Sequence, residues 1–519
     1  TLDHQRGDGR TVVEMRGGVI PFRGTGADAL RYVEADRSRA DDYYFGAEAT
    51  VAQFAALDAS GAVTAELSLD PAGYAGWVDW TNPLTGESMG KPRRAGSDRQ
   101  GSPRFMEMVI NTPKSLSIAA ALHSEVSDAL DAAQQDALSE IRRWLAQHSV
   151  TRVGSLGRQE VVPIEQTQVV GITHRTSRAG DPHRHIHMQI GTRVFAAGKW
   201  RGLFTAALFK QQGAIRALGT AVIAASPELA EVLDRHGLTL EPATGEVVEL
   251  QTFNSLMSKR GAQVGQNLER LEAEWDATHP GESMGPVVAT RLRAEAWAYE
   301  RPAKKPTTLA EEAGWATELR EAGYDPTTLQ QPAPRASVGL DDLSVQEVAS
   351  RALDRCAAGA SAWTAHTVTE YATRIMTEHG VQATPAEIRD FITVASRLAL
   401  EDCFTILPPG APRPEHVAHL TSVRVMQAET ELRDLIAARV PARGPALPDV
   451  RQLAQAAGLD AGQTEAAAAV ASTDPLVIVE GAAGSGKTTM LATAITAAQR
   501  EGRATRVVAP TKKAADVAH

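Results

Sequence analysis

Residues 166–195 read QTQVVGITHRTSRAGDPHRHIHMQIGTRVF, and this stretch decides how the first half of the chain folds. QTQVVGITHRT and HIHMQIGTRVF alternate apolar and polar residues as strands do, and the turn residues SRAGDP lie between them. The pattern predicts an antiparallel hairpin. Successive side chains of a strand point to opposite faces. His185 and His187 therefore share one face, while Ile186, Met188 and Ile190 share the other. Folding about Ala179–Gly180 sets His174 opposite His185. Three imidazoles then meet outside a core that the aliphatic residues enter. The whole chain of 519 residues has only 14 histidines, which makes this concentration informative. Three neutral nitrogens around one divalent ion leave coordination positions open, as a catalytic metal site requires. The competing reading is a polar hairpin whose histidines merely align, with His183 beside the cluster or at the surface.

Working outward, FMEMVI (105–110) predicts a strand, and TPKS leads into a long amphipathic helix over 115–148. A helix start carrying Lys114 and Ser115 can hold a phosphate. Residues 205–236 have helical periodicity. Strands and helices mix without regular βαβ alternation, so the expected class for the first 300 residues is α+β. RPAKKPTT (301–308) and QQPAPRAS (330–337) have linker composition, and VQEVASRALDRCAAG and PAEIRDFITVASRLAL predict short helices. The expected organisation is a first domain over 1–300, a linker over 301–338, a helical domain over 339–460 and a further domain from 461 to 519.

The net charge of −10 excludes a chain-wide basic field, so nucleic-acid binding must rest on local patches. KPRRAGSDRQGSPR (91–104) is one, with Arg93 and Arg94 at its start. Cys356 and Cys403 are the only cysteines, which argues against a disulfide scaffold and suits a reducing cytoplasm. No apolar run reaches the length of a membrane span. Of seven tyrosines, three fall in RYVEADRSRADDYYFG: Tyr32, Tyr43 and Tyr44. A phenol can attack a phosphodiester and stay joined to it if a carboxylate takes its proton and a metal neutralises the phosphoryl oxygens.

These residues resemble the conjugative relaxases of the MobF, or F-plasmid, type, which are usually fused to a superfamily 1 helicase. HRTSRAGDPHRHIH resembles the family's three-histidine motif, whose metal ligands fall at His174, His185 and His187. NTPKSLS resembles the family phrase ending APKSVS, and Glu107 occupies the position of an aspartate that orients or deprotonates the nucleophilic tyrosine. Tyr43 and Tyr44 match the second of the family's two tyrosine pairs. Tyr32 matches the first residue of the first pair, with Val33 as its neighbour, and Tyr32 is the first choice of nucleophile. SKRGAQV (258–264) resembles another family phrase. The likeness covers about 25–300 and resumes at about 340–519. It implies a palm-like antiparallel sheet flanked by helices. The implied activity is nicking of one DNA strand at an origin of transfer, through a 5′-phosphotyrosyl adduct that is later religated. Implied cofactors are a divalent ion (Mg, Mn or Zn) at the histidines. Implied partners are single-stranded and hairpin DNA, a type IV secretion coupling protein and accessory relaxosome proteins. Arg93, Arg94, Lys114 and Arg178 are the cations expected against DNA. The implied location is the bacterial cytoplasm, with transfer alongside the DNA to a recipient cell.

GAAGSGKTT follows LVIVE, which has the pattern of a buried strand, and precedes a helical pattern, the context a phosphate-binding loop needs. Gly481, Gly484 and Gly486 shape the loop, Lys487 is expected at the β and γ oxygens of ATP, and Thr488 at magnesium. Gln463 resembles the adenine-reading glutamine of superfamily 1 helicases. The stretch to His519 is therefore read as the opening of a RecA-like α/β P-loop domain, too short alone for efficient ATP hydrolysis. The alternatives are a rolling-circle replication initiator or transposase of the histidine–tyrosine class, a non-catalytic DNA-binding module tethered to a motor, and a zinc hydrolase.

Overall fold

A computed structural model describes residues 18–36, 52–93, 100–155, 157–177, 179–280, 284–299, 309–328, 338–439, 449–482 and 485–508. Tyr43, Tyr44, Arg94, Arg178 and Gly484 lie outside these residues, as do 301–308 and 330–337. The described residues divide into two compact units. One comprises residues up to Trp275 with Gly285–Ser422, and the other Asp276–Met284 with the residues from Val423 onward.

The first unit is built on an antiparallel sheet. Its strands are β1 (Ile20–Phe22), β2 (Ala52–Asp58), β3 (Val63–Leu69), β4 (Phe105–Asn111), β7 (Gln166–Thr176) and β8 (Pro182–Gly191), in the order β1-β4-β8-β7-β2-β3. The short pair β9 (Arg193–Ala196) and β10 (Lys199–Gly202) extends from β7, and β5 (Val150–Val153) pairs separately with β6 (Glu160–Pro163). In the central hairpin Val169 faces Ile190, Gly171 faces Met188 and His174 faces His185, the register expected from the sequence.

Period-two alternation divides the sheet into two faces, each covered by helices. Met106, Met108, Ile110, Ile186, Met188 and Ile190 point to one side, where α3 (Lys114–Leu122) and α4 (Ser124–His148) cover them with Leu116, Ile118, Leu138 and Ile141. Phe54, Phe105, Val170 and Ile172 point to the other, under α1 (Gly26–Asp36) and α2 (Pro71–Val78) with Ala29, Tyr74 and Trp77. The single helix expected over 115–148 is two: His123 takes an extended backbone (φ −133°) and its ring stacks on His236 at 4.0 Å. That break lets α3 and α4 follow the sheet in different directions.

Further helices are α5 (Thr205–Lys210), α6 (Gln212–Ala224), α7 (Pro227–Arg235), α8 (Lys259–Thr278), α9 (Pro286–Ala298) and α10 (Leu309–Glu321). α10 falls where a linker is expected; its Trp315 is buried and donates its indole N–H to Gly180 O at the hairpin turn, 3.0 Å away. Then come α11 (Val345–Gly359), α12 (Ala365–Glu378) and α13 (Pro385–Glu401). Their starts are encoded locally: Ser344 and Thr364 cap α11 and α12, and Thr384 and Glu387 form a capping box on α13, where Pro385 sits in the first turn. These three helices form no separate domain. Val348, Ala352, Ala372, Ile375, Ile388 and Ala395 join the core that holds α4, α6 and the sheet. The expected boundary at 338–339 is thus crossed by continuous apolar packing, because α6 and α4 each have a second apolar side that needs cover. The hairpin of β11 (Cys403–Thr405) and β12 (Leu420–Ser422) closes the unit.

In the second unit α14 (Val423–Ala437) and α15 (Arg451–Ala456) precede α16 (Ala461–Val470) and α17 (Lys487–Arg500). Val450, Ala467, Ala471, Met490 and Ala494 make a small core. The stretch LVIVE, expected as a buried strand, is neither: Ile478 is 74% exposed, and no strand pairs with it among the described residues. A strand exists only through its ladder, and a parallel one is stable only when both faces are covered.

Replacing fully buried Ile375 by Ala is expected to cost the first unit about 2–5 kcal/mol. Because its core is shared, the loss should lower one cooperative melting transition. Calorimetry showing a separate early transition for 345–401, with the sheet unaffected, would contradict the shared core.

Candidate metal and nucleophile site

The histidines lie on the sheet face beneath α1 and α2. His174 and His185 are direct cross-strand partners, and His187 follows two residues along the same face. The ring centroids form a nearly equilateral triangle: 5.4 Å from His174 to His185, 5.1 Å from His174 to His187 and 5.0 Å from His185 to His187. His174 and His185 are buried and His187 is partly so. The same alternation seats Ile186 and Met188 in the opposite core, so no residue between the ligating positions is wasted.

A hydrogen bond fixes how the His185 ring presents itself. Nδ1 of His185 lies 2.9 Å from the His183 carbonyl. A carbonyl only accepts, so Nδ1 carries the proton and the Nε2 lone pair faces outward. Nδ1 of His187 lies 3.2 Å from Glu107 Oε1, close but without hydrogen-bond alignment. Burial, followed by the neighbouring cations and rings, pushes the His183 pKa down to about 3 and holds His185 well below its ordinary value. Neutral imidazole is the form that binds metal, and burial favours that form at His185. Three converging imidazoles fit a divalent ion, and an all-imidazole set suits zinc better than magnesium, which prefers oxygen ligands.

Tyr32 stands beside the triangle. Its ring meets that of His187 edge-on, at 6.3 Å and 88°. α1 reaches this position because Gly26 lies against α2: a Cβ there would sit 2.1 Å from Ala75 O. Glu107 is on β4, next to β8, and its Oε2 accepts from Gln189 Nε2 at 3.3 Å. Gln189 Oε1 in turn accepts from the Tyr74 hydroxyl at 2.8 Å. Tyr74 is fully buried, and burial with the charges of Glu107 and Tyr32 pushes its pKa upward, so it stays a neutral donor. Tyr74 and Gln189 are absent from the sequence-based site. Gln189 was accessible, since it shares the face of His185 and His187; Tyr74, in DPAGYAGW, carries no local signal.

Behind the hairpin, Asp131 of α4 receives Arg175 at 2.7 Å and Arg184 at 3.0 Å, tying the strand ends to the helix. Lys114 donates to Pro182 O at 2.7 Å, and burial pushes its pKa down to about 8. Ser115 does not face a phosphate: its hydroxyl donates to Glu246 and accepts from Val247 N, so it is spent inside the protein. Arg93 is exposed and lines a cleft of about 540 Å³ with Arg23, Arg104, Asp28 and Asp79. Arg104 pairs with Asp79 at 2.9 Å.

In the second unit Gly486 has a left-handed backbone (φ 69°) and opens α17. Lys487 Nζ donates to Gly481 O at 2.7 Å and also to Ala482 O. Gln463 shares a capping box with Asp460 and donates to Ser485 O at 2.9 Å, which seats it on the loop. Thr488 is exposed in the first turn of α17.

No curated protein matches the chain. Among solved structures it is similar to TrwC complexed with a 27-mer DNA comprising the recognition hairpin and the cleavage site (19% identity, 59% of this chain, 99% of that one, TM-score 0.41). It is also similar to a metal-bound conjugative relaxase TrwC with oriT DNA (20% identity, 59% and 99% covered, TM-score 0.42). A third is a copper-bound TrwC complex with oriT DNA (21% identity, 59% and 98% covered, TM-score 0.43). Residues 458–519 match the AAA domain model. The TrwC relaxase model matches residues 26–322, more than half of the sequence, and the chain therefore belongs to the TrwC relaxase family.

Proposed function

We propose that this chain nicks one strand of DNA at an origin of transfer and remains joined to it through Tyr32. The observation that carries the reading is the edge-on placement of the Tyr32 ring against a triangle of three imidazoles. In the reaction, Tyr32 Oη attacks the scissile phosphorus and gives up its proton to Glu107. The bond from phosphorus to O3′ breaks, O3′ leaves with its electron pair and takes a proton, and a 5′-phosphotyrosyl ester remains. Reversal by a 3′-hydroxyl reseals the strand, since the ester conserves the energy of the broken bond. His174, His185 and His187 would hold a divalent ion; what it supplies when bound is charge neutralisation at the phosphoryl oxygens. Glu107 lies beside His187 as well as serving the phenol, and Tyr74 with Gln189 keeps that carboxylate in place.

Single-stranded and hairpin DNA is the substrate, with Lys114 and Arg93 at its phosphates and Arg94 and Arg178 as further contacts. Tyr43 is the second nucleophile, next to Tyr44. Gly481, Gly484, Gly486, Lys487 and Thr488 bind ATP with magnesium, and Gln463 reads the adenine, as the start of a helicase motor. The protein works in the bacterial cytoplasm with a secretion coupling protein and accessory relaxosome proteins.

Incubated with labelled single-stranded origin DNA, the chain is expected to form a covalent adduct that EDTA abolishes and that peptide mass spectrometry places on Tyr32. Tyr32→Phe should lower initial adduct formation by about a hundredfold or more. An adduct on another residue, or undiminished nicking by Tyr32→Phe, would remove Tyr32 from this role.

Lys114 yields a second expectation. Its folded-state pKa of about 8 lies below the ordinary 10.5. The ammonium is charged below that value and neutral above it, so DNA affinity should fall as pH rises through about 8. Stability should move the other way between the two values, because there the unfolded chain binds the extra proton. Lys114→Met should flatten both trends in binding and melting titrations; a variant that keeps the wild-type pH profile would contradict it.

A further inference from the structure

A second cluster of metal-binding side chains lies apart from the hairpin. His148 is the last residue of α4, His366 is in the first turn of α12, and Glu415 belongs to the loop between β11 and β12. One ligand atom from each lies within 4.8 Å of the others. His148 Nδ1 is 2.8 Å from Glu415 Oε2. His366 is only 2% exposed, and its ring packs edge-on against those of Trp144 and His148. Trp144 packs on His148 at 3.9 Å and on His366 at 5.8 Å, which fixes both rings from one side. A cleft of about 70 Å³ lined by Trp144, His148 and Arg389 lies beside His148.

From this geometry we propose that His148, His366 and Glu415 form a zinc site, separate from the histidines of the hairpin. Two imidazoles and one carboxylate are the donors zinc takes, and the fourth position is left to water. Zinc takes neutral imidazole and ionised carboxylate, so binding should weaken in acid. The end of α4 also favours a cation, since its last carbonyls point there. The three ligands come from segments remote in sequence. The loop ILPPGAPRPEHVAHL (406–420) is rich in proline and poor in apolar anchors. A zinc ion would therefore staple it to α4 and α12, and the effect is on stability and on the path of that loop. Nothing in this proposal depends on the nicking reaction.

The test uses the full chain carrying His174→Ala, His185→Ala and His187→Ala, which empties the hairpin of ligands. Titration calorimetry with zinc should still detect one ion, and cobalt substituted for it should give the strong visible absorption of a four-coordinate site. The melting temperature should rise with added zinc. Adding Glu415→Gln, an exposed change, should weaken binding by more than about tenfold. Adding His366→Ala should abolish binding and the zinc-dependent rise in melting temperature. Circular dichroism without metal checks that each variant is folded; if His366→Ala is not, Glu415→Gln and His148→Gln decide. A folded chain lacking the three hairpin histidines that binds no zinc would overturn the proposal. Binding unchanged by Glu415→Gln and His148→Gln would do the same, leaving a plain hydrogen bond between His148 and Glu415.

Discussion

The register of one hairpin governs both the core and the site. A strand has only two sides, so a slip of one residue between β7 and β8 would turn Ile186 and Met188 outward and drive His185 and His187 into the packing of α4. The penalty would combine several lost apolar side chains, each worth roughly 1.5–3 kcal/mol when fully buried, with imidazoles stranded among aliphatic groups. The register is also pinned from behind, by Asp131 between Arg175 and Arg184, and at the turn, by Trp315 on Gly180. Apolar packing thereby sets the positions of polar groups that gain nothing from each other until an ion joins them.

Electrostatics on that face follows from the same burial. Water is largely excluded around His185 and His183, so the rings stay neutral and present lone pairs. Glu107 is oriented by Gln189, and Gln189 by the buried hydroxyl of Tyr74. Each polar group is fixed by another with less freedom, and the sequence ends at a phenol locked in the core. This is the preorganisation a phosphoryl-transfer site needs, since charge there must be met by groups already in place.

The hairpin, its pairing and the sharing of one face by three histidines were legible in the sequence because they depend on spacing alone. The helices α11 and α13 were legible for a similar reason: helical pattern is local. The break at His123 was not, because helical periodicity continues through it and only the stacking on His236 shows why the backbone turns. The phosphate reading of Ser115 failed because its partner, Glu246, is more than a hundred residues away. The missing strand at LVIVE has a different cause: apolar composition gives a segment the capacity for a ladder without supplying a neighbour. The site at Tyr32 was half legible. The tyrosine could be picked out, but the helix approach that brings it to His187 rests on Gly26 meeting Ala75, which no spacing rule encodes.

The seam between α6 and α12 bears on how such a chain can be divided. Ile215 and Leu218 of α6 and Ile375 and Met376 of α12 belong to one continuous interior. Ending a fragment just after α10 would leave an oily strip on the nuclease exposed to solvent, inviting self-association at the concentrations used for crystals or assays. The same constraint acts on recombination. An exchange of motors between relatives that cut in front of α11 would separate surfaces shaped for each other. The compact unit is accordingly longer than the catalytic sheet, running on to Ser422.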